Sequence, residues 1–303
     1  MIAHSQKMIA ILWLVAPVVW FRITAGHCHP VLVGLGMAFL LLAHSIVLAI
    51  EFAFLHRQHH RHPIHPTRAC KLVRVWLVES VISLRVFLWD QAFRSRAVSD
   101  DLLDSAGRRS VLLIHGYVCN RGFWNPWMRR LRSLRIPYCA ITMEPPFGTI
   151  DEAIEAIDIA VRAATRATGL APLVVTHSMG ALSLRAWMRK YSADARIHHV
   201  VTIASPNQGT WLARFAASRN ARQIRIGSSW LKNLERDEPP ARYRRFTCFY
   251  GNCDNVVFPM ELATLPGADN RHVDSAAHIQ MALQEEVFRE AIRLLDAPAV
   301  SVC

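Results

Sequence analysis

The sequence predicts an α/β chain, a mostly parallel sheet with helices on both faces over residues 110–296, preceded by a helical membrane segment over residues 1–55. Three observations lead there. Val31 to Ile50 is a run of 20 residues, broken only by His44 and Ser45 and free of full charges, which is the length a helix needs to cross a bilayer's hydrocarbon. From Ser110 onward, short apolar runs alternate with helical periodicity. Finally, the net charge of +12 over 303 residues is uneven. Residues 1–74 hold seven Lys and Arg against Glu51 alone, so a quarter of the chain carries half the excess. The 52% hydrophobic content excludes a disordered chain or a small disulfide scaffold.

Taken in order, Met8 to Phe21 is an apolar run of 14 residues that extends to Ala25 if Arg22 snorkels to the interface. It makes a first span over 8–25, with the second over 31–50. A signal peptide is the rival, since Lys7 offers a charged start; Arg22 and the absence of an A-x-A site argue against it. The dense cationic tract after residue 55 puts both ends and the large C-terminal part in the cytosol, with the spans in the inner or plasma membrane. His44 and Glu51 share a helix face, but Glu51 falls at the expected interface and His44 can bond a carbonyl, so a functional intramembrane pair is the lesser reading. The linker region, 56–109, opens with His56, His59, His60, His62 and His65 interleaved with Arg57 and Arg61, better suited to lipid headgroups than to a metal. Lys71 to Arg94 has the pattern of an amphipathic helix, which fits the membrane surface and the wall of the following domain equally.

Val111–Ile114 reads as the first strand, followed by a helix near 123–134 and a strand at Tyr138–Thr142. Thr149 with Glu152 forms a capping box for a helix over 151–168 that buries Ile154, Ile157 and Val161 and ends at Gly169. The next strand, Pro172–Val175, runs into Thr176-His177-Ser178-Met179-Gly180 and a helix through Leu182, Leu184, Trp187 and Met188. Strand, elbow and helix is the setting a serine nucleophile needs, because the tight turn projects its hydroxyl over the sheet edge. Gly180 allows the close passage; Thr176 departs from the usual glycine. At the first strand's end, His115-Gly116-Tyr117 can aim the Tyr117 N–H above Ser178, and with the Met179 N–H this supplies two oxyanion donors. Downstream, strand Phe246–Tyr250 delivers Asp254 to a loop. The last strand, around Arg271-His272-Val273, leads to His278 at the start of a terminal helix carrying Ile279, Leu283, Val287, Ala291 and Leu295. The rivals are weaker: His272 sits within a strand, Asp269 and Asp274 are too near the histidine in sequence, and Ser205 is followed by Pro206. His115 and His177 read as structural neighbours of the site.

HGY at 115–117, THSMG at 176–180, TIASPNQGT at 202–210, CDNVVFP at 253–259 and AHI at 277–279 resemble the bacterial lipase and esterase branch of the α/β-hydrolase superfamily, over roughly residues 110–296. The resemblance implies the α/β-hydrolase fold and cleavage of acyl esters with Ser178 as nucleophile, Asp254 as acid, His278 as base and Tyr117 with Met179 as oxyanion hole. No cofactor or metal is expected. The histidine that often follows the Ser-Pro pair in that family is here Asn207-Gln208. The 209–243 segment, with Trp211, Leu212, Phe215, Trp230, Leu231 and Leu234 in a basic frame, is the expected cap. Acyl transfer and thioester cleavage use the same five positions. A silent membrane scaffold or a nucleic-acid binder is disfavoured by the complete residue set and by charge lying beside membrane spans, so the expected partners are an ester or lipid substrate and the bilayer. Seven cysteines without metal-ligand spacing suit a reducing compartment; a Cys119–Cys139 bridge is possible only with the orientation reversed.

Overall fold

A computed structural model describes residues 1–59, 67–103 and 105–297. His60, Arg61, His62 and His65 of the histidine-rich tract, the side chain of His59, and residues 298–303 of the tail lie outside this range.

The chain begins with a helical hairpin, α1 (Ile2–Thr24) and α2 (Pro30–His59), and both helices are long and apolar enough to cross a membrane. Both exceed the expected spans. α1 starts earlier because Ile2 and Gln6 are buried against the following domain. α2 continues past Glu51 because that carboxylate faces the domain, accepting from Asn255 Nδ2 at 2.6 Å. α3 (Ala69–Arg85) follows and ends in a π-turn, Val86–Asp90. Its inner face (Leu72, Val75, Glu79, Ser83) is buried while Val73, Leu77 and Val81 are exposed on the other. The two readings of this amphipathic segment thus apply to its two faces.

The α/β region runs β1 (Val111–Ile114), α4 (Asn125–Ser133), β2 (Tyr138–Ala140), α5 (Ile154–Thr168), β3 (Leu173–His177), α6 (Gly180–Tyr191), β4 (His199–Ile203), α7 (Arg219–Gln223), α8 (Ser229–Arg236), β5 (Phe246–Tyr250), β6 (Asp269–His272), α9 (His278–Met281) and α10 (Glu285–Leu295). The six strands lie in the order β2-β1-β3-β4-β5-β6, every pair parallel. Alternate strand residues serve opposite faces: Leu112 and Val174 pack with Ile157 and Trp187 on one, Leu113 and Val175 with Trp127 and Phe288 on the other. Ligands in such sheets bind beyond the carboxyl ends of the strands, and the loops after β1, β3 and β5 meet there.

α5 is entered through the Thr149–Glu152 capping box and closed by Gly169 at φ +73°. The expected single terminal helix is instead α9 and α10, interrupted at 282–284, where Gln284 is extended. In the 209–243 segment, Leu231 and Leu234 sink into the core on the α6 side. Trp230 Nε1 donates to Asp151 Oδ2 at 2.8 Å, and the buried Arg185–Glu238 ion pair, Nη2 to Oε2 at 2.5 Å, pins the segment's end. Its start meets the hairpin, Trp211 and Phe215 both lying against Phe54, at 5.2 and 5.5 Å between ring centroids. A third cluster, Phe52 and Leu55 of α2 with Leu72 and Val75 of α3, packs on Cys253, Phe258 and Ala277. The N-terminal helices therefore rest on the loops that carry Asp254 and His278.

Candidate active site

Ser178 links β3 to α6 with φ +54°, a left-handed conformation that costs a non-glycine residue on the order of 1 kcal/mol. The sheet holds it there: Ser178 N donates to Ile203 O at 2.9 Å. Two neighbours must be small. A Cβ at Gly180 would lie 2.5 Å from His115 O, and one at Gly116 would lie 2.8 Å from Ser178 Cβ. Thr176, in place of a glycine, is accommodated with its hydroxyl donating to Val201 O on β4 at 3.3 Å.

Asp254 and His278 come together from separate loops, His278 Nδ1 lying 3.0 Å from Asp254 Oδ1 and 3.2 Å from Oδ2. The carboxylate is itself fixed, since Oδ1 accepts from Val256 N and Val257 N, both at 2.9 Å. With Nδ1 engaged, Nε2 is the imidazole nitrogen left for a substrate or nucleophile. His278, Ser178 and Tyr117 line one cavity of about 670 Å³. The Tyr117 hydroxyl pairs with Ser218 Oγ at 3.0 Å. The backbone N–H groups of Tyr117 and Met179 have no protein acceptor among the described residues.

Three histidines crowd this edge, and burial sorts them. His115 is pushed down to about 4 by burial; its Nδ1 sits 2.8 Å from Gly116 O and its Nε2 accepts from Met143 N at 3.0 Å. His177 is held well below the usual range by burial and then by the charge of His278; its Nε2 sits 3.0 Å from His278 O. For His278 burial also opposes the charged form, but Asp254 beside it, followed by Glu79 and Glu51, outweighs that and raises its pKa. His278 is the one of the three suited to take up a proton.

The rivals lie elsewhere. His272 lines a separate cleft with Arg271 and Glu286. Exposed Asp269 pairs with Arg271 at 2.7 Å, exposed Asp274 pairs with Lys71, and buried Ser205 bonds Ile203 O at 3.2 Å. Asn207 serves packing, its Nδ2 donating to Ala263 O at 2.7 Å. Among the described residues no group of three or more His, Cys, Asp or Glu is disposed to hold a metal, and the six described cysteines are free, Cys119 and Cys139 included.

Sequence reasoning missed the carboxylates behind the histidine. Glu79 of α3 is buried, its Oε1 accepting from Ile279 N at 2.8 Å and its Oε2 from Gln280 N at 3.1 Å, so it grips the two residues after His278. Burial pushes its carboxyl up to about 7. Glu51 holds Asn255, whose Oδ1 accepts from His278 N at 3.3 Å. His44 Nε2 meets Ser83 Oγ at 2.7 Å, and both, like Glu51 and Glu79, face the cavity. The signal available was a lone acid in each helix, Glu51 in α2 and Glu79 in α3. From the expected cap only Leu212 lines the cavity; α1, α2 and α3 supply most of its apolar wall.

No protein-family model matches the chain, and no curated protein matches it in sequence. Solved structures do. The mature form of a Bacillus licheniformis lipase is similar at TM-score 0.56 and 15% identity, over 64% of this chain and 95% of that one. Its propeptide form gives TM-score 0.57 at 15% identity, over 67% and 54%. Lipase B of Aspergillus fumigatus gives 0.55 at 15% identity, over 64% and 54%, so this chain spans about half the length of that enzyme. At such identity the likeness establishes the fold: the chain has the α/β-hydrolase fold, preceded by two long apolar helices.

Proposed function

We propose that the chain is a membrane-anchored serine hydrolase that cleaves carboxylic acyl esters, of lipase or carboxylesterase type. The observation behind this reading is the left-handed Ser178 at a cavity shared with His278, whose Nδ1 is held by Asp254. His278 Nε2 takes the Ser178 hydroxyl proton as Oγ bonds to the ester carbonyl carbon. The negative oxygen of the tetrahedral intermediate meets the N–H groups of Tyr117 and Met179, each such donor being worth roughly 10²–10³ in rate. Collapse breaks the bond to the alcohol, which leaves with the proton from His278. A water then gives its proton to His278 and attacks the acyl-enzyme, releasing the acid and restoring Ser178. Asp254 fixes the imidazole tautomer and stabilises the imidazolium. Ser178→Ala is expected to lose fluorophosphonate labelling and p-nitrophenyl butyrate turnover with an unchanged melting temperature; a variant that still cleaves the ester sinks this reading.

The hairpin is read as a two-span anchor with the catalytic region on the cytoplasmic side. Against a cleaved leader stands the packing of Gln6, whose Oε1 accepts from Asn120 Nδ2 at 2.5 Å and whose Nε2 donates to Gln91 Oε1 at 3.1 Å. Cys28, in the turn between α1 and α2, and Cys70, at the start of α3, are both exposed. An impermeant maleimide is expected to reach Cys28 only from outside and Cys70 only from the cytoplasm; labelling of both from one side refutes the topology.

A further inference from the structure

Resting on the acyl-ester reading, we infer that the substrate is a bilayer-resident lipid, whose acyl chain enters the Ser178 chamber sideways from the membrane and lies between α1, α2 and α3. The first ground is who builds the wall. Ile9 and Trp13 of α1, Val47 and Leu48 of α2, and Leu84 and Leu88 of α3 and its π-turn face the cavity that holds Ser178 and His278. The hairpin positions fall within the stretches 8–25 and 31–50, whose composition is that of bilayer-crossing helix. Helix residues so placed stand at the level of hydrocarbon, so the chamber is a gap among membrane helices backed by a catalytic sheet.

Depth is the second ground. At 1.5 Å per residue, Leu48 lies about 3 Å and Trp13 about 8 Å inside the domain-side ends of the two spans. Glycerolipid ester groups sit at the boundary between headgroup and hydrocarbon, with their chains pointing inward. Ser178 and His278 belong to the domain on which the helices rest, and they share the chamber with the apolar helix wall.

Volume and polarity agree. Taking a methylene as about the size of a liquid water molecule, roughly 30 Å³, the cavity of about 670 Å³ has room for on the order of twenty carbons. Its polar groups are Glu51, Glu79 and Asn255 beside Ser178 and His278, with Gln6, His44 and Ser83 among the helix residues, and the rest of the helix wall is apolar. The backs of these helices are also apolar and bare: Leu12, Ile50 and Val81 are 61%, 51% and 69% exposed. A soluble surface does not tolerate so continuous a patch. Lipid is the solvent that such exposed apolar faces require.

The test uses the full chain in phosphatidylcholine vesicles and two esters with the same leaving group, p-nitrophenyl butyrate and p-nitrophenyl palmitate. Leu48→Trp, which fills the chamber, is expected to lower the palmitate-to-butyrate ratio of kcat/KM at least tenfold, whereas Leu35→Trp, on the lipid-facing side of α2, leaves the ratio alone. An unmoved ratio in Leu48→Trp, or an equal fall in both variants, overturns the inference. A phosphatidylcholine with a diazirine at its chain end, photolysed with the Ser178→Ala protein, is expected to mark Leu84 or Leu88; adducts confined to outward residues such as Leu35 and Phe39 overturn it. Because labelling needs no turnover, it separates failure of this inference from failure of the ester reading, which shows as a wild-type chain that cleaves neither ester.

Discussion

Replacing Glu79 by glutamine probes the buried carboxylate that grips the His278 loop. In the folded chain this group titrates at about 7, against 4.5 for an ordinary glutamate. A raised carboxyl favours the fold when protonated, so its contribution is fully present below pH 4.5 and is lost as pH rises through 7. The difference of about 2.5 pH units corresponds to roughly 3 kcal/mol. Glutamine removes the titration but keeps a single acceptor for two N–H groups, leaving one of Ile279 N or Gln280 N unpaired at a constant cost of about 1–3 kcal/mol. Relative to wild type, Glu79→Gln is therefore less stable at pH 5 and recovers by roughly 3 kcal/mol towards pH 9. At about 2–4 °C per kcal/mol for a domain of this size, the difference in Tm moves by on the order of 8 °C, readable by scanning fluorimetry of the full chain in detergent. Activity gives an independent readout. The Glu79 charge helps to raise the His278 pKa, so its removal moves the acidic limb of kcat/KM for p-nitrophenyl butyrate to lower pH. A Tm difference that does not vary with pH, together with an unmoved limb, would refute the role given to Glu79.

Asp254→Asn leaves the packing intact but turns an amide to His278 Nδ1, and kcat is expected to fall by on the order of 10³–10⁴; a fall below tenfold in p-nitrophenyl butyrate turnover argues against Asp254 as the orienting acid. Gly180→Ala puts a Cβ 2.5 Å from His115 O and 2.8 Å from Ile114 O, so steric overpacking is expected to cost about 1–3 kcal/mol and to displace the elbow; a variant with wild-type Tm and wild-type turnover contradicts the closeness of that crossing.

Much of the α/β region and of the candidate site was legible because the signals are local. The Ser178 elbow is written in five consecutive residues, with Gly180 placed where the helix start passes His115 O and Ile114 O at the end of β1. Asp254 stands out as an acid just past a strand, and His278 as a histidine at a loop-to-helix junction. The break between α9 and α10 escaped notice because Leu283 continues the helical spacing of apolar residues, while the chain turns extended at Gln284. The packing of Leu231 and Leu234 on α6 was not legible for a similar reason. Apolar residues at 230, 231 and 234 look the same whether they cover a site or pack on α6, and composition does not say which surface they meet.

The sequence by itself determined the division of the chain into an apolar hairpin and an α/β unit, and the identity of the residues at the strand ends, because hydrophobic periodicity and turn chemistry act over a few neighbouring positions. Only the tertiary structure decided what surrounds His278 and what walls the cavity. Glu51 and Glu79 lie more than 190 residues before the loop they hold, and Ile9, Leu48 and Leu84 approach Ser178 through packing of separate helices. Such contacts depend on how faces of distant elements meet. No local pattern encodes them, and in this chain they join the apolar N-terminal helices to the His278 loop.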